Sequence, residues 1–300
     1  MTGAATTNGS FSELLEQRGV LIADGATGTN YQDLGLEPGM APEEWLFESP
    51  DRVLGLHRAF IDAGADVILT CTFGATGVRL ADSPLAGRAA DVNRRAVELA
   101  REAADGRALV AGSLGPTGQL CEPLGLLTLE ECADTFEEQA SGLGGADLLV
   151  LETFFALEEA TAAIEGVRRV SDLPLVVSFS FDQGTRTMMG ASPTDVVNAV
   201  RELGVAAVGA NCGRSLADTD AIVEELLGAA DGLPLWVKPN AGVPRIVGDA
   251  VVYDAGPEDL AEHARRYVEQ GVQIVGGCCG STPAHVDAIS RAVRSSSRRL

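Results

Sequence analysis

The stretch "ADLLVLETFFA" at 146–156 runs through four apolar residues, Leu148 to Leu151, and then meets a glutamate, Glu152. A strand with one wet face alternates apolar and polar residues. A run without alternation belongs to a strand covered on both faces, as in a parallel sheet. Seven further runs have this form: "GVLIADGATGT" (19–29), "ADVILTCTFGA" (65–75), "ALVAGSLGPTG" (108–118), "LPLVVSFSFD" (173–182), "VAAVGANCG" (205–213), "LPLWVKPNAG" (233–242) and "VQIVGGCCG" (272–280). Between them lie stretches such as "PDRVLGLHRAFIDAGA" and "PEDLAEHARRYVEQGV", with apolar residues three and four apart and a glycine near the end. That is the pattern of amphipathic helices. Eight strand–helix units over 300 residues without a composition break predict a single (β/α)8 barrel, in preference to a doubly wound open sheet.

In such a barrel the loops at the C-terminal ends of the strands build the active site. Polar residues collect there: Asp24, Thr70 and Cys71, Ser113, Glu152, Ser178 and Ser180, Asn211 and Cys212, Lys238 and Asn240, and the pair Cys278 and Cys279. One domain is expected over 11–294, with tails at 1–10 and 295–300. "MTGAATTNGS" lacks the basic and apolar regions of a secretory signal. No apolar run is long enough to cross a bilayer.

A net charge of -21 repels nucleic acid and anionic membranes, which excludes both as partners. Six cysteines without a secretory signal predict a reducing cytoplasm, with thiols free or metal-bound. Adjacent cysteines make a poor structural disulfide, so Cys278 and Cys279 call for another reading. A barrel would bring them to Cys212, 66 residues earlier, across its mouth. Three converging thiolates suit zinc, and three protein ligands leave a fourth position open, the pattern of a catalytic site. Gly276, Gly277 and Gly280 would let the backbone leave strand geometry so that both sulfurs reach one ion. The substrate matched to such a site is itself a thiol, bound as thiolate.

"GGCCG" followed by "STPAH", "GANCG" some sixty residues earlier, "DGATGT", "GSLGPTG", "LETF" and "KPNAG" together resemble the homocysteine S-methyltransferase family. That family includes betaine–homocysteine and S-methylmethionine-dependent enzymes and the homocysteine-binding domain of cobalamin-dependent methionine synthase. The resemblance runs from about 12 to about 294, with the motifs in family order. It implies zinc on Cys212, Cys278 and Cys279 and methyl transfer to homocysteine, giving methionine. It further implies that Asp24 and Glu152 engage the homocysteine ammonium and that backbone amides around Gly25 and Ala26 receive its carboxylate. Ser178 would lie near the amino acid, and Asn240 would complete zinc coordination before substrate arrives.

Three departures bear on the methyl donor. "TCTF" (70–73) replaces an acidic residue and an asparagine before "TF", "KPNAG" replaces a "YPNAG"-like run, and "GST" (280–282) replaces "GTT". The donor is left open between a small onium compound (S-methylmethionine, S-adenosylmethionine or betaine type) and a methyl-corrinoid or folate partner. No segment reads as a cobalamin or folate domain. Oligomeric state is equally open, a homo-oligomer included. The stretch "QDLGLEPGMAPEEW" (32–45) is a candidate lid or donor-side wall.

Plainer readings apply elsewhere. Cys71, Cys121 and Cys132 read as small buried hydrophobes. His57 and His263 fall in helical patterns, and His285 at a helix start. The glycine-rich loops lack a phosphate-binding motif. Two rivals to the methyltransferase remain: a Schiff-base lyase using Lys238, the only lysine in the chain, and a zinc–thiolate module active only within a larger assembly.

Overall fold

The computed structural model describes residues 10–248 and 250–297. Each of the eight apolar runs contributes one parallel strand: β1 (Leu21–Ile22), β2 (Val67–Leu69), β3 (Leu109–Leu114), β4 (Leu148–Phe154), β5 (Leu175–Phe179), β6 (Ala207–Cys212), β7 (Leu235–Pro239) and, after a hairpin of β8 (Pro244–Val247) and β9 (Ala250–Tyr253), β10 (Ile274–Val275). The order β1-β10-β7-β6-β5-β4-β3-β2 leaves β1 and β2 at the ends. Ala23 bridges Val67 in parallel, and the Asp24 amide donates to the Val67 carbonyl at 3.0 Å. The ring therefore closes as a (β/α)8 barrel.

The helices between strands start and stop on local chemistry. Thr128 and Glu131 form a capping box at the start of Leu129–Gly142, which offsets orphan amides of its first turn. Pro257–Gln270 stops at Gly271, whose φ of 115° suits glycine. The helices press one core against the outside of the sheet. A second core fills the barrel axis with Leu21, Ala23, Val67, Leu69, Leu109, Ala111, Leu148, Val150, Val176, Ala207, Trp236 and Ile274. Phe11 and Leu14 of the helix Phe11–Arg18 join this inner cluster and stopper its N-terminal end.

Side chains along a strand alternate between faces, so the inward positions above that apolar rung can be counted. Ser113, Glu152, Ser178 and Lys238 come next in phase on β3, β4, β5 and β7, and Asn211 follows Gly209 in the same phase on β6. The barrel floor is apolar and its upper rung polar, which places the candidate residues at the C-terminal mouth.

Some details differ from the sequence expectation. The hairpin β8–β9 was not foreseen; Gly248 at its tip has φ 64°, and the ribbon exposes Ile246, Val247, Val251 and Val252. The stretch 32–45 is pinned. Leu36 and Trp45 are buried, Trp45 packs on Tyr31 with ring centroids 5.1 Å apart, and Glu43 accepts from the Gly74 amide at 2.6 Å. Ser10 caps the first helix and the last helix runs Pro283–Ser297, so the ordered elements reach past 11–294; the remaining tail residues lie outside those described.

Candidate thiolate metal centre and acceptor pocket

Cys212 is the last residue of β6 and has φ 61°, a left-handed conformation that L residues rarely adopt. The turn swings its sulfur out of the sheet toward the loop after β10. That loop is held by two backbone bonds, Cys278 amide to Pro239 carbonyl at 2.8 Å and Ala241 amide to Cys279 carbonyl at 2.9 Å. The glycines act partly as expected. Gly280 has φ 79°, but Gly276 and Gly277 are required by close packing: a Cβ would stand 2.8 Å from the Asp24 carbonyl oxygen and 2.4 Å from Ser281 Oγ, respectively.

Cys212 Sγ lies 3.0 Å from Cys278 Sγ and 3.9 Å from Cys279 Sγ, and all three sulfurs fall within 4.8 Å of one another. A tetrahedron with metal–sulfur bonds of about 2.3 Å has edges of about 3.8 Å; the Cys212–Cys279 separation matches such an edge, the Cys212–Cys278 separation is shorter, and the donor set of three thiols is the one that suits zinc. Asn240 sits beside it, its Nδ2 donating to the Gly213 carbonyl at 2.8 Å and its Oδ1 buried with no hydrogen-bond partner. Its backbone amide donates to the Cys212 carbonyl at 3.4 Å, and an orphan buried acceptor calls for a partner. Hydrogen bonds from Cys212 and Cys278 hold the Cys279 thiol far below its ordinary range. Those same bonds, with burial, push Cys212 well up. Among the described residues no other group of three His, Cys, Asp or Glu converges this way.

Beneath the sulfurs lies the polar rung. Asp24 has both oxygens engaged, Oδ1 by Lys238 Nζ at 2.6 Å and Oδ2 by the Leu69 amide at 2.8 Å. It is 1% exposed. The Ala26 amide donates to Ser281, at 3.1 Å to Oγ and 3.2 Å to the carbonyl, while Gly25 packs against Phe60. Glu152 is different. One oxygen accepts from Ser113 Oγ at 2.5 Å, and the other has no hydrogen bond among the described residues. Burial pushes its carboxyl up to about 7, against the opposing pull of Lys238. Burial also works to lower the Lys238 ammonium, but the charges of Asp24 and Glu152 outweigh it and raise the group. That arrangement disfavours the neutral amine a Schiff-base lysine needs.

Ser178 is fully buried and donates to Asn211 Oδ1 at 2.7 Å, so it braces a neighbour. Asn211 in turn clamps Thr153, accepting from its amide at 2.8 Å and donating to its hydroxyl at 2.7 Å. Thr153 has φ 67°, rare for a β-branched residue, and sits where β4 shifts register against β5. This brace sets the angle of Glu152, and sequence reading missed it. The signal was Asn211 in the inward phase of β6. Tyr253 was missed as well: its ring lies on Gly280, where a Cβ would come within 2.2 Å of the ring.

Cys71 and Cys132 are deeply buried and Cys121 nearly so, in line with a packing role. His57 is buried in a helix and burial lowers it to about 4. His263 pairs with Asp220 at 2.8 Å, and His285 Nδ1 accepts from the Thr282 amide at 3.1 Å at a helix start.

With this geometry established, comparison with known proteins is informative. The family model for homocysteine S-methyltransferase matches residues 21–293. The chain belongs to that family. Its barrel superposes on the homocysteine methyltransferase MmuM from Escherichia coli: on the oxidized form with a TM-score of 0.81 and 26% identity, covering 95% of this chain and 99% of that one. The metallated form of that enzyme gives 0.79 at 27% identity, covering 93% and 98%. Methionine synthase from Mycobacterium tuberculosis is 34% identical over 301 residues. The methionine synthase of Mycobacterium leprae matches equally well. These alignments cover 94% of this chain but only 25% of either relative's length. This member of the family contains no helix, among the described residues, long and apolar enough to cross a membrane.

Proposed function

We propose that this chain transfers an activated methyl group to the sulfur of homocysteine, giving methionine, with zinc held by Cys212, Cys278 and Cys279. The observation that carries the reading is the meeting of three sulfurs, from strand ends 66 residues apart, within 4.8 Å. Asn240 Oδ1, buried and unpartnered, is the candidate for the fourth ligand position before substrate arrives. When bound, zinc lowers the pKa of the acceptor thiol so that the sulfur is a thiolate at neutral pH.

The remaining work falls to the chain's own side chains. Glu152 offers its free oxygen to the acceptor's ammonium, in a site dry enough for one charge pair to orient the molecule. The brace of Ser178, Asn211 and Thr153 keeps that carboxylate in place. The apolar rung below, closed by Phe11 and Leu14, shuts water out from behind. The thiol proton leaves to solvent as the acceptor binds. The sulfur then attacks the methyl carbon in line, forming S–CH3 as the donor–CH3 bond breaks, and fixed geometry supplies several kcal/mol of the rate, about 7 or more in well-oriented systems.

The donor comes from above, past the wall 32–45 and the hairpin. Donor candidates are a methyl on positive sulfur or nitrogen, or one delivered by a corrinoid protein or a folate; the methionine synthase relatives favour testing the corrinoid route alongside the small onium compounds. A reducing cytoplasm suits three thiols kept unoxidised. The experiment is a donor screen with zinc-loaded protein and homocysteine, methionine being measured by mass spectrometry. Methionine formed with one equivalent of zinc supports the reading. Stoichiometric zinc with no transfer from any donor would instead favour a zinc–thiolate module.

A further inference from the structure

Two side chains from outside the sulfur trio reach its vicinal pair. Asn211 Nδ2 donates to Cys278 Sγ at 3.8 Å. Tyr253 serves the other sulfur, its hydroxyl donating a hydrogen bond to Cys279. Tyr253 is the last residue of β9, at the base of a ribbon that pairs with no strand of the barrel. A lone two-stranded ribbon is marginal in water, and this one is tied down at the end that meets the sulfur loop. The Ala255 amide donates to the Ala241 carbonyl at 3.0 Å and the Val243 amide to Asp254 Oδ1 at 2.7 Å. The Ala241 amide in turn holds the Cys279 carbonyl. The Tyr253 ring fills the space a Cβ on Gly280 would need, so that glycine serves the ring as well as the turn. At the far end the ribbon stands in solvent, with Ile246 82% exposed.

The electrostatics of the mouth give this contact a task. Three thiolates around a dication leave net negative charge, and an acceptor thiolate adds to it. Glu152 pushes against charge on Cys279, and the nearby ammonium of Lys238 is already paired with Asp24. A hydrogen bond to a charged acceptor contributes about 1.5–3 kcal/mol, and donors to ligand atoms tune the metal those atoms hold. We propose that Tyr253 is a positioning residue of the metal centre: its hydroxyl holds the Cys279 sulfur and draws electron density from it, which leaves the metal a stronger acid toward the acceptor thiol. The phenol acts through Cys279 and touches neither acceptor nor donor.

The inference rests on the zinc–thiolate reading above, and the test separates the two. Cobalt(II) is loaded in place of zinc, and the sulfur-to-cobalt charge-transfer band reports how readily the thiolates give up electron density. Tyr253→Phe keeps the ring on Gly280 and removes the hydroxyl. With one cobalt per chain, its band should move to lower energy than that of the unmodified protein. A ring-fluorinated tyrosine in place of Tyr253 keeps the hydroxyl, makes it a stronger donor and should move the band to higher energy; it carries the test if the phenylalanine variant does not fold. Ile246→Ser, at the exposed end of the ribbon, should leave the band in place. In calorimetry on the zinc-loaded proteins, homocysteine should bind Tyr253→Phe about threefold to tenfold more weakly, as expected when part of one charge-assisted bond is felt through the metal. A band that neither change at Tyr253 moves, or that Ile246→Ser moves as far, overturns the role of Tyr253. Unchanged homocysteine binding by a variant whose band has moved overturns the step from sulfur to acceptor. Failure of the unmodified protein to bind cobalt overturns the metal reading instead.

Discussion

Trp236 and Lys238 leave the same strand toward the same axis, two residues apart, yet they sit in different surroundings. Around Trp236 the barrel is filled by leucine, valine, isoleucine and alanine. Around Lys238 it holds Asp24, Glu152, Ser113, Ser178 and Asn211, and the backbone at Thr153 and Cys212 adopts a left-handed conformation. One pleat of the sheet separates a layer that gains free energy by leaving water from a layer that spends it. Burying a fully enclosed aliphatic side chain contributes about 1.5–3 kcal/mol, whereas a left-handed residue costs about 1–3 kcal/mol and a buried charge costs more than that unless it is paired. The lower rung stabilises the barrel, and the upper rung holds groups in states that unconstrained chains avoid.

The sharpest way to break this division is at the sulfurs. Cys279→Ala should remove zinc from the purified protein and reduce methyl transfer at least about a thousandfold, since a ligand lost from a three-residue set leaves no site; metal analysis and turnover on one preparation check both. Retention of full activity by a metal-free variant would refute the metal reading. In the lower rung the effect should fall on stability. Trp236→Ala should cost about 3–5 kcal/mol in denaturant unfolding, while the folded fraction keeps one zinc per chain.

Glu152→Gln tests whether the upper rung trades stability for chemistry. The carboxyl is raised from 4.5 to about 7 in the folded chain, so the folded state holds its proton more tightly than the unfolded chain does. The wild type is then unpenalised below about pH 4.5 and loses stability as pH rises through about 7. The glutamine variant should match the wild type at pH 4 and unfold at higher denaturant at pH 8, by on the order of 1–3 kcal/mol. It should also bind homocysteine at least about tenfold more weakly. A stability difference that ignores pH would break the comparison.

The smallest effect sharpens it. Thr153→Asn places a residue tolerant of left-handed backbone where Thr153 is strained, but loses the hydroxyl that Asn211 uses, and unfolding should shift by no more than about 1 kcal/mol. Thr153→Ala loses the bond and keeps the strain, and should cost about 1–2 kcal/mol.

The sequence carried the barrel because each of its strands is an apolar run that ends at a polar residue, and those endings marked the mouth. It carried the sulfurs because "GGCCG" has no packing rationale of its own. What it hid was pairing. Asp24 and Lys238 are 214 residues apart, and only closure of the ring brings them together, so a motif-by-motif reading did not foresee their ion pair. The Asn211–Thr153 brace was hidden for the same reason. The hairpin β8–β9 was not foreseen because "PRIVGDAVVY" directly follows a complete strand, although a Gly–Asp pair between apolar residues was a usable signal in the sequence.

The plug formed by Phe11 and Leu14 has a kinetic consequence. A vessel stoppered at its base has a single doorway, and whatever lies deepest must enter first and depart last. For the proposed reaction the thiol precedes the methyl donor, and methionine waits beneath the spent donor until that has gone. Initial-rate patterns should accordingly be ordered, with methionine competing against the thiol and not against the donor.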